Sequence, residues 1–311
     1  MKKLIGKGCL LAIISVGLMA GIVYMSTMPV FSSLIATLTN SEAYASKLNA
    51  SEEVITYINK AGEPDASTKL IVGDSVCNSL FGELQEINPE YKILCCNKGI
   101  TMAGQYILTK EYLDTHEGVT DVYLIVISNS LITGFDTDFG YQYAVVPFVR
   151  TGKLSYLDEE TIQEMKDLYF APFLDERVID MVEASPLIKK MYLNVEKEWK
   201  PTILTLSFPD VTVRYIKKMH ELCQERGVKM HFISPPLAES DERKEVEAVL
   251  KEEYEKSELY ELFPDFYENY IYYPADLFPD GIHPNVDRSF KNEMIRSMEA
   301  NMEEVWDLRL E

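Results

Sequence analysis

Residues 68–75 read Thr68-Lys69-Leu70-Ile71-Val72-Gly73-Asp74-Ser75. A short apolar run closed by a Gly-Asp turn and followed by a helical stretch reads as a buried strand feeding a helix. The same pattern recurs along the chain. Tyr91-Lys92-Ile93-Leu94-Cys95-Cys96 is a second strand that ends at Asn97-Lys98-Gly99, before a helix over 102–116. Asp121-Val122-Tyr123-Leu124-Ile125-Val126-Ile127 is a third, stopping at Ser128-Asn129. Further on, Ser207 caps a helix reaching 226, Gly227 stops it, and residues 229–233 form the next strand before Ser234-Pro235-Pro236. A charged helix over 241–256, a second helical piece over 258–269, a short strand at 271–273 and a last amphipathic helix over 286–305 complete the series. Strands alternating with helices predict right-handed βαβ units and a parallel sheet covered on both faces.

Residues 131–200 interrupt this rhythm with a run of aromatics, Phe135, Phe139, Tyr141, Tyr143, Phe148, Tyr156, Tyr169, Phe170 and Phe173 among them, before becoming helical. The stretch reads as an insertion beside the end of the third strand. It is either a helical subdomain packed on the sheet or a lid that shapes a pocket, since loops at strand ends commonly do so.

The amino terminus differs from everything after it. Lys2, Lys3 and Lys7 precede a charge-free stretch that lasts to Glu42. Residues 8–28 of that stretch match the roughly 20 apolar residues needed to cross a bilayer as a helix. Positive charge ahead of the span keeps the amino terminus cytoplasmic and sends the rest outward. The expected organisation is a tip and transmembrane anchor over 1–36, a helical stalk and linker over 37–66, and an α/β domain over 67–311. A cleaved signal peptide is the competing reading. Its best cleavage site, Ala43-Tyr44-Ala45, lies well beyond the span. Either way the body is exported.

With 30 Lys and Arg against 50 Asp and Glu, the formal net charge is −20. Nucleic acid is therefore excluded as a partner, because phosphates demand basic surface. Cys9, Cys77, Cys95, Cys96 and Cys223 make no zinc pattern. The adjacent pair Cys95-Cys96 reads as small buried hydrophobes on opposite faces of a strand. An exported chain can form a disulfide, but the spacing selects no pair.

Three stretches carry chemistry. Ser75 sits where a strand turns into a helix, which exposes its hydroxyl and aims the backbone N–H groups of the helix at the space above it. A serine hydroxyl needs a base, and the base needs a partner that holds its tautomer. Asp280-Gly281-Ile282-His283 supplies both on one short loop before the last helix. Asn129, after the third strand, adds an amide donor.

Taken together, these blocks resemble the SGNH (GDSL-like) hydrolases over about residues 68–305. Gly73-Asp74-Ser75 is similar to the family's first block, with Val76 in place of leucine. Asp280-Gly281-Ile282-His283 resembles its last. The second block implies an oxyanion-hole glycine, here Gly104 or Gly99, with Gly104 favoured because it opens the following helix. In the third block Asn129 fits, while Ile127 stands at the glycine position. The resemblance implies a flavodoxin-like three-layer α/β/α sandwich, a catalytic triad of Ser75, His283 and Asp280, and an oxyanion hole from Ser75, Gly104 and Asn129. It implies no cofactor and no metal.

Exported, membrane-tethered members of that family remove or install acetyl groups on surface polysaccharide, the installers often beside a multi-span membrane acyltransferase. The expected activity is thus that of an esterase or O-acetyltransferase on acylated carbohydrate at the cell membrane. Aromatic rings in the insertion either stack on sugar faces, which would lean the same way, or serve core packing. The alternative is a catalytically inactive surface adaptor that keeps the fold.

Overall fold

The computed structural model describes residues 2–26, 28, 31, 50–96, 100–136, 140–169, 174–184, 206–268 and 270–300. It is an α/β protein. Four parallel strands form one sheet: β1 (Lys69–Gly73), β2 (Tyr91–Cys95), β3 (Asp121–Ile125) and β4 (Lys229–Ile233), in the order β2-β1-β3-β4. Register is continuous across the sheet, with Gly73 opposite both Cys95 and Ile125. All four strands thus end at the same edge, where Ser75 emerges.

Alternation along the strands divides the core in two. Leu70, Val72, Leu94, Val122 and Leu124 face one side. Ile71, Ile93, Tyr123 and Ile125 face the other. Each face is covered, as a parallel sheet requires. On the first lie helices Ala50–Ala61, Met102–Thr115 and Asp210–Arg226, through Val54, Ile58, Ile107, Leu108, Tyr215 and Met219. On the second lie Ser75–Phe81 and Arg288–Ala300, through Leu80, Phe81, Met294 and Ile295.

Several expectations change. The segment read as a stalk contains helix Ala50–Ala61, and it is docked rather than extended. Val54, Ile58 and Ala61 are fully buried, and Lys92 pairs with Asp65 just beyond the helix at 2.8 Å. Residues 37–49 of the expected stalk, and Ala43-Tyr44-Ala45 with them, lie outside the described residues. The short strand expected at 271–273 forms as β6 (Tyr272–Pro274), but it does not join the main sheet. It pairs in parallel with β5 (Leu237–Glu239), a strand the sequence reading missed because it spans only three residues directly after two prolines. The third strand ends at Ile125, two residues earlier than expected, and the last helix starts at Arg288.

The cysteines also divide. Cys77 and Cys95 form a disulfide with Cα atoms 5.9 Å apart, tying helix Ser75–Phe81 to the end of β2. Cys96 and Cys223 are buried and take no part in it.

At the amino terminus, helix Lys2–Ser26 forms, and Leu10, Leu11, Ile13, Val16 and Leu18 on it are exposed. Among the described residues no helix is long and apolar enough to cross a membrane.

In the insertion, short helices Val146–Arg150, Glu159–Leu168 and Glu176–Ala184 follow a π-helical turn at Tyr141–Val145. Phe135, Tyr141, Phe148 and Tyr169 are buried in the main core. Phe139, Phe170 and Phe173 lie outside the described residues. The described aromatics that are fully buried are therefore packing groups with no face to offer a sugar.

Candidate active site

Ser75 is the first residue of its helix, separated from the end of β1 by Asp74 alone. Gly73 is required where the strand ends. A Cβ there would lie 2.1 Å from the Ile125 carbonyl oxygen and 2.7 Å from Cys77 Cβ, closer than any side chain could tolerate. Asp74 caps the helix, its Oδ1 accepting from the N–H groups of Val76 and Cys77 at 3.0 and 3.2 Å. Its Oδ2 accepts from Ile127 N–H at 2.8 Å and Ser130 Oγ–H at 2.7 Å. One buried carboxylate thus fixes the loop after β3 to the turn that carries the nucleophile. Burial pushes its carboxyl pKa up, against the four donors that stabilise the charged form.

This capping corrects one expectation. The second and third N–H groups of the helix are taken by Asp74, which leaves the N–H of Ser75 itself as the helix-terminal donor for an oxyanion.

The loop 280–283 meets Ser75 from across the sheet edge. His283 Nε2 lies 2.7 Å from Ser75 Oγ, 208 residues away in sequence. His283 Nδ1 lies 2.7 Å from Asp280 Oδ2. Asp280 Oδ1 accepts from the N–H groups of Ile282 and His283 at 3.0 and 2.7 Å. Those bonds, from the backbone and ring of His283 first, hold the Asp280 carboxyl down to about 2. It is therefore ionised at neutral pH and accepts only, so Nδ1 carries the proton and Nε2 is left to accept from the serine.

Gly281 adopts φ +75°, a conformation L side chains rarely take, and this turn folds the Asp280 carboxylate back onto His283. Phe278, fully buried, anchors the loop, and its carbonyl accepts from Gly281 N–H at 2.8 Å. Ile282 packs with Val76, Ile127 and Leu237, so the three loops that build the site share one small apolar cluster.

The oxyanion-hole candidates fall differently. Asn129 lies in the single turn Ser128–Leu131 after β3. Ile127, at the position where the family has glycine, is extended at φ −75° and ψ 157°, so no glycine is needed there. Gly104 is the third residue of helix Met102–Thr115, in the turn where backbone N–H groups lack helical acceptors. The neighbouring Gln105 donates through Nε2 to the Gly73 carbonyl at 3.0 Å, holding this turn against the end of β1. Gly99 lies outside the described residues.

Beside the triad opens a cavity of about 380 Å³, lined by Asn129, Arg243 and Asp280 and by the apolar Ile132, Leu206, Val246 and Ile282. That volume falls in the range of ligand pockets, about 300–1,000 Å³. Sequence reasoning missed Asp74 as a clamp and missed Arg243 and Glu247 altogether. A signal for Glu247 existed: it shares a helical stripe with Leu250 and Tyr254, and all three are buried. A carboxylate on an apolar stripe implies a polar partner inside.

Neither a family model, nor a curated protein, nor a solved structure matches this chain.

Proposed function

We propose that the chain is an SGNH-type serine esterase or O-acyltransferase, anchored by its amino-terminal helix with the α/β domain outside the cell, acting on acyl esters of surface carbohydrate. The observation that carries this reading is the unbroken relay of two 2.7 Å contacts from Ser75 Oγ through His283 to Asp280. The placement of Ser75 at the carboxyl edge of a parallel sheet, where α/β folds gather ligands, supports it further. The anchor rests on the apolar run of residues 8–28 and its three preceding lysines.

In this mechanism Nε2 of His283 takes the Ser75 proton as Oγ attacks the ester carbonyl. The developing oxyanion is met by the N–H of Ser75 and the amide of Asn129, with the Gly104 N–H as the third donor that the family pattern implies. Collapse expels the alcohol, which takes the proton back from His283 and leaves Ser75 acylated. Water or a sugar hydroxyl then gives its proton to His283 and attacks the acyl carbon, which restores the serine. Hydrolysis and transfer differ only in that acceptor. A multi-span acyltransferase is the partner expected if transfer is the physiological reaction.

The test is acetate release from an acetylated glycan and from p-nitrophenyl acetate, with Ser75→Ala as control. Turnover by the wild type alone is expected, and added unacetylated glycan should capture part of the acyl group if transfer occurs. Equal turnover by the Ser75→Ala variant refutes the reading. A folded wild type without turnover favours a surface adaptor.

A further inference from the structure

We propose that Arg243 is a positioning residue for the reaction, aiming the Asn129 amide so that its nitrogen, not its oxygen, meets the oxyanion. The inference rests on the esterase reading above.

Arg243 stands in the first turn of helix Asp241–Glu255, where its own N–H is capped by Ser240 Oγ at 3.0 Å. Its Nη1 lies 2.8 Å from Asn129 Oδ1. A guanidinium only donates, so the atom it contacts must be the amide oxygen. Asn129 Nδ2 therefore occupies the other branch of the amide, and it has no partner among the described residues. Both side chains line the cavity beside the triad. Without this contact the terminal torsion of asparagine is broad and roughly two-fold. The flipped rotamer would present a carbonyl oxygen to a developing negative charge.

Arg243 is itself held. Its Nη1 lies 3.4 Å from Glu247 Oε1, and the two side chains are only 14% and 4% exposed. The same Oε1 accepts from Ser128 Oγ–H at 2.5 Å. Ser128 and Asn129 are adjacent, so Glu247 and Arg243 grip consecutive residues of the loop after β3 from one helix.

The experiment compares steady-state kinetics of p-nitrophenyl acetate on the full chain for the wild type, Asn129→Ala, Arg243→Ala, Arg243→Lys and the double variant Arg243→Ala/Asn129→Ala, with thermal midpoints alongside. Deleting an oxyanion donor costs about 100-fold or more in kcat, so Asn129→Ala sets the ceiling. Arg243→Ala should lose roughly ten-fold of that in kcat with KM little changed, because the amide is misaimed for part of the time. In the Asn129→Ala background the same change should do nothing further, as expected for two residues acting through one atom. Added guanidinium should restore part of the Arg243→Ala rate and none of the double variant's. Arg243→Lys keeps the charge beside Glu247 but loses the planar fork, and a several-fold loss of kcat is expected even if the alanine variant folds poorly. Additive losses, or a kcat at the wild-type level in both Arg243 variants, overturn the proposal while leaving the esterase reading intact. Absence of Ser75-dependent turnover in the wild type removes both.

Discussion

Replacing Asp280 by asparagine probes the relay with little disturbance of the fold. The Asp280 side chain is 57% exposed and its neighbours are loop atoms, so the change should leave stability nearly unaltered. Its effect on catalysis follows from which atoms surround it. Oδ1 faces two backbone donors, the N–H groups of Ile282 and His283. An amide NH2 cannot sit there, so the new nitrogen must take the place of Oδ2, opposite His283 Nδ1. Two donors then face each other, and the ring relieves the clash by moving its proton to Nε2. A protonated Nε2 donates to Ser75 and cannot take its proton. Loss of charge contributes less: at this exposure the effective dielectric is close to that of water, where two charges about 4 Å apart interact by only about 1 kcal/mol. The tautomer effect dominates, and in a triad on an unrelated fold the same substitution costs about 10⁴-fold in kcat. An exposed ring has more freedom to escape, so a loss of about 10²- to 10⁴-fold is expected here. The assay is p-nitrophenyl acetate hydrolysis from pH 5 to 10, with the thermal midpoint as the folding control. Activity within about three-fold of wild type at neutral pH, in a folded variant, would refute the tautomer argument.

Asp74→Ala should destabilise the domain by about 3 kcal/mol or more in urea titration, since it strands the buried N–H groups of Val76, Cys77 and Ile127 at once. Because hydrogen bonds from His283 lower the Asp280 carboxyl from 3.8 to about 2, its contribution to stability is complete above about pH 4 and fades as pH falls through 2. Asp280→Asn should accordingly flatten the stability profile in that acid window and add no pH dependence from pH 5 to 8, where the small loss of stability at this exposed site is constant. Gly281→Ala meets no neighbouring atom, so its cost is the backbone strain at φ +75°, about 1–2 kcal/mol. It should appear as a lower kcat when the loop shifts His283. Reducing the Cys77–Cys95 disulfide, whose partners are 18 residues apart, should lower unfolding stability by about 3 kcal/mol in the loop-entropy account. Denaturant midpoints with and without dithiothreitol check this.

The main sheet was legible because each of its strands is a local signal. Leu70-Ile71-Val72 before Gly73, and the parallel runs at 91, 121 and 229, need no knowledge of their partners. The Ser75, His283 and Asp280 constellation was legible as two short blocks whose meeting the α/β topology implies. What was not legible depends on contacts between distant side chains. Ser128 and Glu247 are 119 residues apart, and Asn129 and Arg243 are 114 apart. Helix Ala50–Ala61 looked like a stalk because its amphipathic face has no partner within its own segment. Its partners are helix Met102–Thr115 and, in the insertion, helix Val146–Arg150 with the turn before it. The insertion stayed open between two readings for a related reason: aromatic content reports both packing and stacking, and only the burial of Phe135, Tyr141, Phe148 and Tyr169 decides for packing at those positions.

The proposed chemistry requires Ser75 to carry the acyl group. Mass spectrometry of the protein quenched in acid during turnover of an acetyl ester measures that directly. An acetyl mass on the peptide containing Ser75, absent from Ser75→Ala and strongly reduced in His283→Ala, is the predicted result. Turnover that proceeds at full rate with no acyl group on that peptide would contradict the account.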